Sequence, residues 1–398
     1  MSSNIGPEAK VAYQKYLDAV SLEEKIKRLE EFLSVVPKHK KTEKVVALNK
    51  SKLSKLKREL EEKKERAKSS LKIVSPFSIK KEGIQVILVS DYNTPGVGKT
   101  SLLNYLTGAV KEKIGKFTSL PEIGIYFFEQ VRFQIVDMPS IMEGASAGIG
   151  NGKEILSQIR ACDLLCICVD LTRNVPKQME LILKELYEGD VRINVLPPPI
   201  SIEKTGASKI QVIYLSKEAK ENAEGDDLTE RIKELIYENG IHHAIVKLYG
   251  KINLDQIVDA LTPSIVYKKV ILLGTKGDLP QTETAFKELT KLYSDRFPII
   301  IGTSVEKKNF PENFGEIVLK FLNKIKIYTM NSSGKIADKP IILNENTNVK
   351  DAALKIHKSF LELFQYAIII REGSLQKRKK VGLDYKLEDK DIIEIHTT

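Results

Sequence analysis

The sequence predicts an α/β fold with a doubly wound, mainly parallel sheet, and three observations support this. Continuous apolar runs at Leu164–Asp170 and Val270–Gly274 have the length of parallel strands that are covered on both faces. A Gly/Pro loop follows the apolar run Ile84–Val89 and leads into a helical pattern at Ser101–Leu106. Helical patterns also separate the other strand-like runs, which is typical of a sheet with helices on both faces.

Two further segments extend this α/β domain, which the sequence assigns to residues 76–326. Gly124–Asp137 alternates as a β-hairpin does, with Val131 and Phe133 on one face. Pro298–Ile301 is another short apolar run with strand composition.

One stretch, Leu171–Ser264, is too long for a single crossover between parallel strands. It contains strand-like runs at Ile210–Leu215 and Ala244–Leu248 and a helical pattern at Leu228–Asn239. We therefore predict a small α+β domain, at residues 175–262, inserted into the larger one.

The two ends of the chain have different secondary-structure patterns. Residues 1–75 are predicted to form a helical hairpin, because the helical pattern over Gly6–Lys68 is interrupted at Pro37. Residues 327–398 are predicted to form a compact mixed domain with a helix at Val349–Phe364 and a last strand at Asp391–Ile395.

The charge is concentrated near the N-terminus. Between Lys38 and Lys81 there are 16 lysines and arginines against five acidic residues, a net charge of +11. Since the whole chain carries +10, the remainder nets −1. Composition alone leaves two interpretations open: a surface that faces nucleic acid, or an ordinary solvated helix.

Other classes of protein are not favoured. No apolar run approaches the ~18 residues that a membrane-spanning helix needs, and Met1–Glu8 has no secretory pattern. We therefore expect a cytoplasmic protein without a membrane segment. Cys162, Cys166 and Cys168 lie on one apolar stretch and are interpreted as small buried residues rather than a zinc site.

The strongest motif matches the phosphate-binding loop Gly-x-x-x-x-Gly-Lys-[Ser/Thr] between a strand and a helix. Its residues are Asn93, Thr94, Pro95, Gly96, Val97, Gly98, Lys99 and Thr100, followed by Ser101. The glycines let backbone N–H groups face phosphate oxygens. Lys99 is predicted to bridge the β- and γ-phosphates, and Asn93, which replaces the first glycine, is expected to tolerate positive φ.

A magnesium site is predicted beside this loop. Asp137 ends the hairpin strand and, with the hydroxyl of Thr100, suits Mg²⁺. Ser140 occupies the position where an N–H group meets the γ-phosphate. Ser119, or failing that Thr118, is the candidate hydroxyl that completes the metal shell when a triphosphate is bound.

The purine site is predicted from two strand ends. Thr275, Lys276 and Asp278 follow one strand, and Asp278 would accept hydrogen bonds from guanine N1 and its exocyclic amine. Adenine lacks that donor pair, so GTP and GDP are the expected ligands. The loop Thr303-Ser304-Val305 follows the next strand and is expected to donate an N–H to guanine O6.

The chain resembles the developmentally regulated GTP-binding proteins of the Obg group and their archaeal relatives. The resemblance covers nearly the whole chain, and these segments carry it: Val36–Lys40, Leu53–Lys57, Phe117–Leu120, Ile141–Ala145, Arg192–Asn194, Lys355–Lys358, Val381–Gly382 and Leu387–Asp391. It implies a β-grasp TGS domain at residues 327–398, a ribosomal-protein-like insert and a role at the ribosome. Ribosome or RNA contact is expected through the basic hairpin and the TGS domain, with an accessory protein as a further candidate and a monomeric chain.

Some residues depart from this pattern. Asn93, Ser140 and Thr275 replace residues that the family usually has, and Gly96 lacks the side-chain oxygen that holds potassium in related enzymes. Ile141 stands where Ras-like GTPases have their water-orienting glutamine, so slow intrinsic hydrolysis is expected and the catalytic residue stays unknown.

Besides a Mg²⁺-dependent GTPase that acts as a switch in translation, three alternatives stay open. One is a degenerate nucleotide-binding module with little hydrolysis. Another is an ATPase, which Asp278 disfavours. The last is an RNA-binding scaffold with a vestigial site, which Lys99 and Thr100 disfavour.

Overall fold

The computed structural model divides the chain into two compact units, Met1–Ser75 and Pro76–Thr398. It describes residues 7–19, 22–37, 42, 45–46, 49–50, 52–54, 56–57, 60, 76–108, 119–206, 209–223, 228–331, 333–371 and 378–397.

Helices and strands alternate along much of the second unit, whereas the first is helical. Helices α1 to α12 span Pro7–Asp18, Leu22–Val35, Lys99–Thr107, Gly152–Ala161, Val175–Glu188, Lys217–Ala223, Leu228–Glu238, Leu254–Leu261, Thr282–Tyr293, Phe314–Phe321, Val349–Ile356 and Lys358–Glu362. Strands β1 to β15 span Ile84–Val89, Glu122–Phe128, Val131–Asp137, Leu164–Asp170, Val191–Ile193, Ile200–Lys204, Gln211–Tyr214, Ala244–Leu248, Val266–Thr275, Ile300–Gly302, Lys324–Thr329, Ile341–Asn344, Phe364–Ile370, Arg378–Val381 and Ile392–Thr397.

The N-terminal unit is helical, as the sequence predicts, but its first helical stretch is two helices. α1 and α2 pack through Ala9, Leu29 and Phe32, which are buried. The prediction missed the break between them because apolar residues continue across it, although Ser21 to Glu24 has the Ser-x-x-Glu pattern of a helix start. The described residues from 45 to 60 are helical, and the rest of the second predicted helix lies outside the described residues.

The doubly wound α/β prediction is confirmed in the second unit. The strand order is β10-β9-β4-β1-β3-β2, parallel except for the β2–β3 hairpin. One face of the sheet packs against α4, α5 and α9 through Ile155, Met179 and Leu289. The other packs against α3 and α10 through Leu103 and Phe314. The central strand β4 is completely buried, as its continuous apolar run predicts.

All three cysteines lie in this core, as the sequence predicts. Burial raises the pKa of Cys162 and of Cys168 to about 12, and it raises that of Cys166 well above the ordinary value. No cluster of three or more metal-ligating side chains is found among the residues that the structure describes.

The start of the insert differs from the prediction. Residues 175–193 belong to the large sheet: Val175, Ile182 and Leu186 of α5 pack in its core, and β5 pairs in parallel with β9. The helix α5 and the strand β5 continue the α/β alternation of the large sheet. Because β5 has only three residues, it gives no apolar run in the sequence long enough to indicate a strand. The small sheet, in the order β6-β8-β7, begins at Ile200 and packs against α7 and α8.

The insert is fastened to the large sheet by a bidentate ion pair. The Nε and Nη2 atoms of Arg192, on β5, donate to the carboxylate of Asp259, on α8, at 2.9 and 2.8 Å. The Arg192 guanidinium also lies 3.9 Å from the ring centroid of Tyr187. Planar, partly buried pairs of this kind hold two elements in a defined orientation.

The C-terminal domain forms the sheet β12-β11-β15-β13-β14 and differs from the prediction in three details. Its first strand begins at Lys324, so the predicted boundary at 327 cuts through β11, where alternating lysines hide the apolar face. The predicted helix is two helices that break at His357, whose Nδ1 accepts the N–H of Ser359. The charged edge strand β14 was not predicted.

No helix in the described ranges is long and apolar enough to cross a membrane.

A buried ion pair closes this domain. Asp391, which is fully buried, accepts hydrogen bonds from Nε and Nη2 of Arg371 at 2.7 Å each, and from the N–H of Glu388 at 2.8 Å. It thereby ties the end of β13 to the start of β15.

We predict that Asp391→Ala destabilises the C-terminal sheet by about 2 kcal/mol, because two N–H groups of Arg371 and the N–H of Glu388 lose their buried acceptor. Hydrogen exchange of the β13 and β15 amides should accelerate accordingly. Asp384→Ala, which removes an exposed carboxylate of the same domain, serves as the control. Equal exchange rates in the two variants would contradict the structural role of the pair.

Candidate nucleotide-binding site

The predicted site residues meet at one edge of the large sheet. The phosphate-binding loop follows β1, Asp137 ends β3, and the two base-site loops follow β9 and β10. Because these strands are parallel, their carboxyl ends share one edge. A cavity of about 260 Å³ lies there between residues 96–98, 275–279 and 303–306. A larger cavity of about 510 Å³ lies in the insert, but there Asn253 and Gln256 are engaged in a helix cap.

The loop after β1 is longer than the motif requires. Nine residues separate Val89 from Lys99, against the six of a loop that begins directly after its strand. Gly96 and Gly98 have positive φ, as the motif predicts. Asn93 is not among the described residues with positive φ, so the turn does not use the tolerance for positive φ that was expected of it.

Asp91, which the sequence analysis missed, makes the turn instead. Its carboxylate accepts the N–H of Asn93 and the hydroxyl of Thr94, each at 2.9 Å. An aspartate that bonds the N–H two residues ahead is a turn-forming arrangement that a sequence can reveal.

The Lys99 side chain is buried between two hydroxyl groups. Its ammonium donates to Ser90 Oγ at 2.6 Å and to Ser140 Oγ at 3.0 Å, and the two hydroxyl oxygens are 3.0 Å apart. Burial lowers the pKa of Lys99, and the charge of Asp137 opposes that shift. The side chain of Ser140 therefore contacts the lysine of the predicted phosphate-binding loop, which the sequence motif did not indicate.

Thr100 and Asp137, the two main residues of the predicted metal site, lie together. Thr100 Oγ1 donates to Asp137 Oδ2 at 2.5 Å, and Asp137 is fully buried. A hydroxyl and a carboxylate oxygen are hard ligands of the kind that Mg²⁺ prefers, so this pair fits the metal. Ser119 is exposed and makes no described contact with the pair, and Thr118 lies outside the described residues.

Hydrogen bonds within the protein hold the two base-site loops together. Ser304 Oγ donates to Asp278 Oδ1 at 2.7 Å, and this hydrogen bond is the main cause that lowers the pKa of Asp278. The N–H of Ser304 bonds to the carbonyl of Asn309 at 3.0 Å. Ser304 therefore orients Asp278, and Val305 is left as the candidate N–H donor to a base oxygen.

The other base-site residues pack against β4. Thr275 Oγ1 donates to the carbonyl of Val169 at 3.0 Å, and Gly277 N–H donates to that of Thr303 at 2.9 Å. The Lys276 ammonium lies 2.6 Å from Asp170 Oδ2, a fully buried carboxylate at the end of β4. Asp170 was missed, although a carboxylate at the carboxyl end of a buried strand is a recognisable signal.

A third missed residue, Glu185 of α5, holds the segment that follows Ser140. Its carboxylate accepts the N–H groups of Gly144 and Ser146, at 2.7 and 2.8 Å, and the hydroxyl of Ser146 at 2.8 Å. Burial acts to raise the pKa of Glu185, but these hydrogen bonds outweigh it and the pKa lies below its ordinary value. At the other end of the segment, Ile141 bonds to the backbone of Ser90 and Tyr92.

Comparison with known proteins agrees with this geometry. Residues 94–196 match the family described as 50S ribosome-binding GTPase, and residues 325–397 match the TGS domain. An uncharacterized GTP-binding protein of Methanocaldococcus jannaschii is 30% identical over 388 residues, covering 95% of this chain and 93% of that protein. Ribosome-interacting GTPase 1 of Saccharomyces cerevisiae is 30% identical, over 94% of this chain and 98% of its own. Developmentally-regulated G-protein 3 of Arabidopsis thaliana is 28% identical, over 94% and 98%.

We predict that Asp278→Asn weakens GTP binding about ten- to a hundredfold and increases XTP binding, because xanthine presents an acceptor where guanine presents a donor. Titration with both nucleotides measures the change. Asp295→Asn, an exposed carboxylate on the same domain, is the matched control. Unchanged GTP affinity in Asp278→Asn would show that this carboxylate does not read the base.

We also predict that Glu185→Gln costs about 2 kcal/mol of unfolding free energy, because an amide cannot accept as the carboxylate does. The folded-state pKa is lowered, so this stabilisation is present above the ordinary glutamate pKa. It is lost as the pH falls through the folded-state value. Denaturant unfolding as a function of pH tests this, with the exposed Glu180→Gln of the same helix as control. A difference that does not shrink at low pH would refute it.

Proposed function

Because the chain belongs to the family of GTP-binding proteins that includes the developmentally regulated GTP-binding proteins, we propose that it is a cytoplasmic, Mg²⁺-dependent switch that acts at the ribosome. The chain is a GTP-binding, GTP-hydrolysing enzyme with a C-terminal TGS domain. The proposal adds four points: the chain requires Mg²⁺, it belongs to the Obg group, it acts as a switch, and it acts at the ribosome.

The arrangement of four side chains at one sheet edge carries the nucleotide part of the proposal. Lys99 and the loop amides bind the phosphates, Thr100 and Asp137 hold Mg²⁺, and Asp278 binds the base. When bound, Mg²⁺ neutralises charge on the phosphate oxygens.

Slow intrinsic turnover is part of the proposal. The Ile141 side chain is fully buried in the core on the α4–α5–α9 face of the sheet and has no group that could orient water. The position that holds glutamine in Ras-like enzymes therefore contributes packing rather than catalysis.

The charge of the segment Lys38–Lys81 supports the proposed role at the ribosome. A net +11 between Lys38 and Lys81 contrasts with a remainder of −1, so electrostatic attraction to RNA is concentrated in this segment. The names of one relative, a ribosome-interacting GTPase, and of the matched family point the same way. Charge positions a protein on RNA without reading sequence, so selection of a site falls to the TGS domain or the insert.

We predict that ribosome binding survives without nucleotide but weakens steeply with salt. Each phosphate contact contributes a log–log slope of about −0.7 to −0.9. Changing Lys40, Lys41 and Lys44 to Gln should therefore flatten the slope by about 2 to 3 units if all three contact phosphates, as measured by co-sedimentation with ribosomes over a salt series.

The control has the same change in net charge. Lys177, Lys287 and Lys291, which are exposed on α5 and α9, are changed to Gln in a second variant. If ribosome binding weakens equally in the two triple variants and their salt slopes flatten equally, the basic segment is an ordinary solvated surface. If neither they nor the unmodified chain sediment with ribosomes, the ribosomal role itself is wrong.

A further inference from the structure

The environment of Lys99 limits how many phosphate oxygens it can bind. A lysine ammonium has three N–H donors. Within the described residues, Ser90 Oγ and Ser140 Oγ accept two of them, at 2.6 and 3.0 Å. The ammonium is buried, and one donor remains for a ligand.

A diphosphate and a triphosphate make different demands on such a lysine. Lysine in a phosphate-binding loop reaches the β-phosphate and, when it is present, the γ-phosphate. One remaining donor satisfies a β-phosphate oxygen alone, whereas a triphosphate requires a second donor. GDP therefore fits with both serine hydroxyls in place, and GTP requires one of them to release Lys99.

We propose that Ser140 is a positioning residue that makes the site favour GDP over GTP and couples binding of the third phosphate to movement of the segment Ser140–Ser146. The inference rests on the nucleotide site described above. It concerns a side chain that replaces the glycine usual at this position, not the N–H group that the motif supplies.

Ser140, rather than Ser90, is the hydroxyl that can leave. Ser90 is 1% exposed at the end of β1, where its carbonyl accepts the N–H of Ile141 at 2.8 Å. Ser140 is partly exposed and makes the longer of the two bonds to Lys99. Because Ile141 follows directly and is bonded to both Ser90 and Tyr92, displacement of Ser140 strains the contacts that hold the segment to the phosphate-binding loop.

The test compares the affinities of two probes for the full-length chain in Mg²⁺: fluorescent GDP and a non-hydrolysable β,γ-imido analogue of GTP. The unmodified chain should bind GDP more tightly. Ser140→Ala should shift the ratio of the two dissociation constants about tenfold towards the triphosphate, which is the factor expected for one hydrogen bond to a charged group. Ser140→Gly should shift it in the same direction and serves if the alanine variant folds poorly.

Ser157→Ala is the control. It also removes a serine hydroxyl, but from an exposed position on α4 outside the segment Ser140–Ser146, so the ratio should stay within about twofold of the original. Equal loss of both probes, or an unchanged ratio in both Ser140 variants, would overturn the inference and leave the GTPase assignment standing. Failure of the unmodified chain to bind either probe would overturn both.

Discussion

Parallel pairing of β1 with β3 and β4, and of β4 with β9, is the constraint on which the rest of the nucleotide site depends. This register places Leu88 beside Asp137 and Asp170 beside Thr275. Residues far apart in sequence thus reach hydrogen-bonding distance at one edge. The hydrophobic faces of the sheet set the register, because a slip of one residue would turn the buried side chains to the wrong side.

Buried carboxylates shape the loops at this edge. Asp91, Asp170 and Glu185 are each less than 5% exposed, and each accepts hydrogen bonds from nearby N–H, hydroxyl or ammonium groups. A buried charge is costly unless it is paired in this way. Each carboxylate therefore restricts a loop to the conformations that satisfy it, and the site is largely formed by protein contacts alone.

The parts of the site that sequence could predict are those encoded locally. The lysine, threonine and glycines of the phosphate-binding loop, and Asp278, stand in short patterns whose spacing reflects a single turn of backbone. Glu185 could not be predicted, because its partners lie about 40 residues away and its helix has an ordinary amphipathic pattern. Apolar runs predicted the main strands of the large sheet. They did not predict β5, which has only three residues, or β11 of the C-terminal sheet, in which lysines alternate with apolar residues.

The burial of the cysteines has an experimental consequence. The chain has three, all in or beside the central strand, and their raised pKa values leave almost no thiolate near neutral pH. Alkylating reagents attack the thiolate, so they modify the native protein only when β4 opens to solvent. The rate of native-state alkylation therefore measures opening of the sheet, and a single cysteine introduced on the surface could carry a fluorophore without competing background.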